Sequence, residues 1–249
     1  MMGDGLLDPL SECPWKESEM EYKEFLELVQ QRRSTRAFTA DPVPDELVDQ
    51  IIEAARWAPS GANSQPWEFV VVKDKPMKYR IAGFVKAHAY LAHEVELTRP
   101  EDLRWPSAAR PVSDPLWRDA PVLIVVIGDL RTKKSYPLYT QLARGESVFA
   151  SSLASAFLYM ALSATALGLG SQWVSAASHP AVMPLIQASL GIPDDLVIYD
   201  MLALGYAAAQ PKPRIVRAGT EMTHHERYDL TKKRSDAQVR EFLVSLRKP

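Results

Sequence analysis

Along this chain, apolar residues recur at helical spacing in several stretches, and between them lie short runs in which nearly every residue is apolar. The spacing predicts a helix over 20–31, with Tyr22, Phe25, Leu26, Leu28 and Val29 recurring along it. It predicts a second over 45–57, with Leu47, Val48, Ile51, Ile52 and Ala55 on one face and Asp45 as its N-cap. Residues 68–73 read as a strand buried on both faces, 77–97 as a helix broken at most by Gly83, and 120–128 as the strongest and therefore central strand. Residues 146–167 form a long helix, uncharged beyond Glu146 and rich in Ala and Ser. Such small side chains let neighbouring helices approach closely, which makes this helix the buried spine of the domain and a candidate for a subunit interface. A further helix over 179–190 and a strand over 196–207 complete the main pattern.

The connection at 57–67 carries more polar chemistry than a turn requires. Pro59 and Pro66 stiffen it, while Ser60, Asn63, Ser64 and Gln65 offer short donors and acceptors suited to a planar ligand with polar edges. The same residues also suit a self-capping turn in which Asn63 and Ser64 bond their own backbone. Arg32, Arg33 and Arg36, with Ser34 and Thr35 among them, form either a phosphate clamp or a solvated basic helix terminus. Residues 98–118, with four prolines, Trp105 and Trp117, read as a long loop and a candidate lid. Residues 129–146 form a second, basic and tyrosine-bearing connection. Glycines at 168 and 170 first of all cap a helix, and they also let a flat ring approach the main chain. Residues 1–19 read as an N-terminal arm, 20–217 as the main domain, and 218–249 as a C-terminal extension with a helix over 235–247.

Composition narrows the function. A net charge of -2 makes no electrostatic case for nucleic acid, and a single cysteine, Cys13, excludes a disulfide framework and a cysteine-based metal site. His224 and His225 lack a third ligand at metal-like spacing, so no metal is expected. The one stretch long and apolar enough to span a bilayer, 147–170, lacks flanking anchors and reads as a buried helix, so no membrane is expected. Together with the absence of a signal region in residues 1–18, this points to a reducing cytoplasm.

Four motifs occur in a telling order: Arg-Arg-Ser-Thr-Arg-Ala-Phe at 32–38, Ala-Pro-Ser-Gly-Ala-Asn-Ser-Gln-Pro-Trp at 58–67, Gly-Leu-Gly-x-x-Trp at 168–173 and Lys-Pro-Arg at 212–214. Together they resemble the nitroreductase superfamily of FMN-dependent oxidoreductases. The resemblance implies an α+β fold, a central and mostly antiparallel sheet between helices, assembled as an intertwined homodimer. It further implies that Arg32, Arg33, Ser34 and Arg36 hold the phosphate, ribityl chain and pyrimidine edge of FMN, with Lys212 and Arg214 closing on the phosphate. Pro59, Ser60, Ala62, Asn63 and Gln65 come from the partner subunit, and backbone around Leu169, Gly170 and Ser171 lies near flavin N5. No catalytic side chain is nominated, because the chemistry belongs to the cofactor.

The implied activity passes hydride from NADH or NADPH through the flavin to a small acceptor, a nitroaromatic or a quinone, by a ping-pong mechanism. The alternatives are a reductive dehalogenase, a flavin-destructase-like enzyme, a non-catalytic flavin-binding module, or a small-molecule-binding dimer without flavin.

Overall fold

The structure is a computed structural model that describes residues 21–209 and 214–247. The N-terminal arm expected over 1–19 and the candidate ligand Lys212 lie outside the described residues. In chain order the elements are α1 (Tyr22–Gln31), α2 (Asp45–Arg56), β1 (Trp67–Val72), α3 (Lys75–Leu97), β2 (Val122–Asp129), α4 (Leu138–Ala166), β3 (Gly170–Val174), α5 (Met183–Leu190), β4 (Leu196–Gly205), α6 (Gly219–Met222) and α7 (Asp236–Ser245). The four strands form one antiparallel sheet in the order β1-β2-β4-β3, so the fold is the expected α+β arrangement.

Strand β2 is buried along almost its whole length because alternate residues serve two cores. Val122, Ile124 and Val126 face Ile51 of α2 and Leu153, Phe157 and Met160 of α4. Leu123, Val125 and Ile127 face Ile81 and Val85 of α3 and Ile186 of α5. A continuous apolar run is what a strand covered on both faces requires, and each such side chain contributes roughly 1.5–3 kcal/mol through burial.

Several expectations need correction. Strand β1 is not buried on both faces; it is a sheet edge, paired to β2 alone, with Val71 38% exposed. Asp45 is not the N-cap of α2. Pro44 holds that position without a side-chain bond, and the Asp45 carboxylate pairs with Lys73 instead. Helix α4 begins at Leu138, directly after Pro137, so much of the expected 129–146 loop is helix or the 3-10 turn at Leu130–Ser135. Pro137 supplies an extended residue at a position where no intrahelical N–H is needed, and the polar first turns of α4 escape an apolar-period reading. Helix α5 starts at Met183, four residues later than expected, because residues 179–182 form a turn and Pro184 falls in the first turn of the helix, where proline is tolerated. Helix α4 is long and apolar enough to cross a membrane by composition, yet its face carrying Phe149, Leu153, Phe157 and Met160 is packed in the core.

Candidate functional site

Helix α1 ends at Gln31, with the Arg32 N–H donating to the Leu28 carbonyl at 3.0 Å. Beyond it the chain is extended and lies along the ends of β3 and β4. Ser34 bridges in parallel with Ser171, and the Thr35 N–H donates to the Ser171 carbonyl at 2.8 Å. Farther on, the Thr39 N–H donates to the Tyr206 carbonyl at 2.9 Å and the Ala208 N–H to the Ala37 carbonyl at 3.0 Å. This pairing buries Thr35 and leaves Ser34 and Arg36 exposed. Arg214, nine residues past the end of β4, lies in the field of Arg32. Burial first, then Arg214, then Arg33, hold the Arg32 guanidinium below its ordinary pKa. Like charges gathered on a half-buried surface cost free energy, and an anion would recover it.

The segment that follows α4 forms the other wall. Gly168 takes a positive φ of 74°, and the Leu169 N–H reaches back to the Ala164 carbonyl at 2.8 Å, a glycine-ended helix stop. Leu169 and Ser171 are buried, and Gly170 lies between them. A Cβ on residue 170 would come within 2.8 Å of Thr35 Cβ, so only glycine lets the 32–36 arm lie this close. Strand β3 itself is absent from the apolar pattern of the chain, because Ser171 and Gln172 interrupt a run of only five residues.

At its far end, β3 is held by a carboxylate. Asp200 of β4 accepts from Trp173 Nε1–H and, at 2.9 Å, from Ser178 Oγ–H. Burial outweighs these two donors and pushes the Asp200 carboxyl above its ordinary pKa. Trp173 also stacks on Phe157 of α4, ring centroids 3.9 Å apart. Neither Thr35 nor Asp200 was singled out from the sequence. The signal for Asp200 is a lone charge within the apolar run of β4.

The 57–67 connection is anchored separately, on α4. The Gly61 N–H donates to Ser152 Oγ at 3.1 Å, and Ser152 in turn donates to the Val148 carbonyl at 2.8 Å. The Gln65 N–H donates to Ser60 Oγ at 3.0 Å, so the loop does cap itself, through Ser60 rather than through Asn63 or Ser64. Ala62, Asn63 and Gln65 all take positive φ, at 51°, 50° and 42°. Residues other than glycine rarely adopt this conformation, which costs of order 1–3 kcal/mol each and clusters where a site demands a particular shape. Pro59, Ala62, Asn63 and Gln65 are exposed, and Ser60 is half-buried.

The structure therefore gathers Arg32, Arg33, Ser34, Arg36, Arg214, Leu169, Gly170 and Ser171 into one neighbourhood and presents Pro59, Ser60, Ala62, Asn63 and Gln65 on a second surface. Two buried oxygens in these segments, Ser64 Oγ and Gln172 Oε1, have no hydrogen-bond partner among the described residues. No group of three or more His, Cys, Asp or Glu side chains able to hold a metal occurs among the described residues.

The nitroreductase family profile matches residues 29–206, and the chain belongs to that family. It is 37% identical over 117 residues to iodotyrosine deiodinase 1 of Rattus norvegicus, which covers 45% of this chain and 40% of that protein. The chain thus spans about two fifths of the length of the curated deiodinases it first matches. A protein provisionally named NADH dehydrogenase/NAD(P)H nitroreductase from Archaeoglobus fulgidus is 28% identical over 184 residues, 74% of this chain and 86% of that one. Among solved structures, oxidized iodotyrosine deiodinase bound to FMN and 3-iodo-L-tyrosine aligns with a TM-score of 0.63 and 25% identity, covering 82% of this chain and 98% of that one. A nitroreductase with bound FMN from Bacteroides fragilis aligns with a TM-score of 0.58 and 25% identity, covering 79% and 96%.

Proposed function

We propose that this chain is an FMN-dependent oxidoreductase that takes hydride from NADH or NADPH and reduces a small acceptor, a nitroaromatic or a quinone. The observation that carries the reading is the convergence of Arg32, Arg33 and Arg214, with Arg32 depressed by burial and by its neighbours. A phosphate is the dianion such a cluster fits, and Arg supplies planar, multiple donors for it. The close approach of the arm at Gly170 supports the same reading, as does the unpartnered Gln172 Oε1 two residues on, a free acceptor for a polar-edged ring.

Bound there, FMN supplies two-electron hydride chemistry. The chain's own work is to bind and orient. Arg32, Arg33 and Arg214 would hold the phosphate, and Lys212, outside the described residues, would join them. Ser34 and Arg36, exposed on the arm, would reach the ribityl chain and the pyrimidine edge, where the Arg36 cation would favour added negative charge. Backbone at Leu169, Gly170 and Ser171 would line the ring on its N5 side.

The chain works as a homodimer in this reading. Tyr22, Phe25 and Val29 of α1 and Leu138, Tyr139, Leu142, Leu158 and Tyr159 of α4 leave apolar surface uncovered. Pro59, Ser60, Ala62, Asn63 and Gln65 would then complete the partner's cofactor site, which explains why a strained loop presents them outward. A single flavin site that serves donor and acceptor in turn would give ping-pong kinetics.

A second reading, reductive dehalogenation, draws on the deiodinase relatives. Steady-state rates with varied NADPH against a nitroaromatic, a quinone and 3-iodo-L-tyrosine separate the two. Parallel double-reciprocal lines with the nitroaromatic or quinone are expected. Turnover confined to iodide release would move the assignment to dehalogenation, and intersecting lines would remove the ping-pong scheme.

A further inference from the structure

The family match ends at residue 206, yet α7 and Arg247, well beyond it, pack against the segment that follows α3. One guanidinium nitrogen of Arg240, on α7, donates to both carboxylate oxygens of Asp102, at 2.8 and 2.6 Å. Just past α7, the Arg247 guanidinium carbon lies 3.5 Å from the centroid of the Trp105 ring, the distance of a flat stack. Arg247 Nε is buried and has no hydrogen-bond partner among the described residues. From the other side, Glu96 of α3 accepts the Trp105 backbone N–H at 2.9 Å. That hydrogen bond is the first cause holding the Glu96 carboxyl below its ordinary range. Trp105 is thus fixed by its backbone to α3 and by its ring to the C-terminal segment.

The cavity beside it has a volume of about 580 Å³, and Trp105, His93, Glu96 and Arg110 bring its aromatic and charged groups. Pro106 and Pro111 stiffen the far wall, and the rest of the lining is largely small or apolar. This is the size of a small-molecule site, with few polar groups to fix orientation. Glu96 is already engaged by Trp105 and by Arg99, at 3.2 Å. Arg110, in contrast, makes no ion pair or hydrogen bond with any described residue. An unengaged guanidinium beside a braced indole and apolar walls selects a flat ring that carries a carboxylate.

We propose that this cavity binds a small aromatic carboxylate, with Trp105 stacking on its ring and Arg110 pairing with its carboxylate. Arg240 and Arg247 of the C-terminal segment keep the wall in place. The site stands on residues outside the candidate cofactor site and does not depend on the flavin reading.

The test is calorimetric titration of the full chain, without and with added FMN, using 2-naphthoate and its neutral counterpart 2-naphthamide. The naphthoate is expected to bind at least tenfold more tightly than the amide. Arg110→Gln removes that difference, Arg110→Lys restores part of it, and Arg247→Ala weakens both ligands at least threefold. All three replacements are of partly exposed or loop side chains, and circular dichroism checks that the fold is retained. No binding of 2-naphthoate to the unaltered chain, or binding unchanged by both Arg110→Gln and Trp105→Ala, would overturn the proposal. The flavin-free titration gives this answer even if FMN never binds.

Discussion

Thr35 fills the space that a side chain at residue 170 would need. A Cβ there would lie 2.8 Å from both Thr35 Cβ and Thr35 Cγ2, while the Thr35 N–H is tied to the Ser171 carbonyl. Two distant segments, the arginine arm and the start of β3, therefore meet at a contact that admits no extra atom. Overpacking of this kind typically costs about 1–3 kcal/mol. Gly170→Ala should push the arm outward and weaken FMN binding by about tenfold or more. Fluorescence titration of FMN measures it, and unchanged affinity would separate the arm from the cofactor.

Arg214 offers a complementary test. Its charge lowers the Arg32 pKa, so it opposes folding in the absence of an anion and favours binding in its presence. Arg214→Gln should raise the melting temperature of the FMN-free protein slightly and weaken FMN by about tenfold or more, since a hydrogen bond to a charged group contributes about 1.5–3 kcal/mol. The affinity of the unaltered chain should fall with added salt, and that of the variant should fall less.

Asp200 makes stability depend on pH in a predictable sense. Burial raises its folded-state pKa above the ordinary carboxylate value, so the folded state holds the proton more tightly than the unfolded chain. This group's contribution is therefore fully favourable below the unfolded value and is lost as pH rises through the folded one. Asp200→Asn keeps an acceptor and removes the charge. Relative to the unaltered chain it should gain stability at neutral pH, with the gain vanishing toward about pH 4. Asp200→Ala leaves the Trp173 and Ser178 donors without their acceptor and should cost about 1–3 kcal/mol. Denaturant melts of the three proteins across that range decide the point.

Ser152 links α4 to the strained loop. Ser152→Ala removes the acceptor of the Gly61 N–H, leaving a part-buried donor unpaired at a cost of about 1–3 kcal/mol. Faster hydrogen exchange at Gly61 and Gln65 than at β2 amides would mark a local loosening. Uniform change across the chain would show that the bond holds the whole fold rather than the loop.

Much of this was legible in the chain because burial imposes a pattern. The six-residue apolar run of β2, Val122 to Ile127, has one physical reading, a strand between two helical layers. The arginine cluster and the proline-bounded loop stood out because neither is needed to turn a chain. What escaped were features decided by tertiary neighbours. Asp45 looks like a cap until Lys73 is seen beside it, and β1 looks buried on both faces until the sheet order makes it an edge. Thr35 is an ordinary residue whose importance lies in being across from Gly170, and no local period reveals a partner 135 positions away.

The central claim, that this chain holds FMN and accepts hydride on it, is tested most directly by an anaerobic absorption spectrum. The purified protein, supplied with FMN and freed of excess, is recorded before and after NADH and then NADPH. Retained flavin whose visible band bleaches with one of the two nucleotides is the predicted result. Protein that retains no flavin, or flavin that neither nucleotide bleaches, would contradict it.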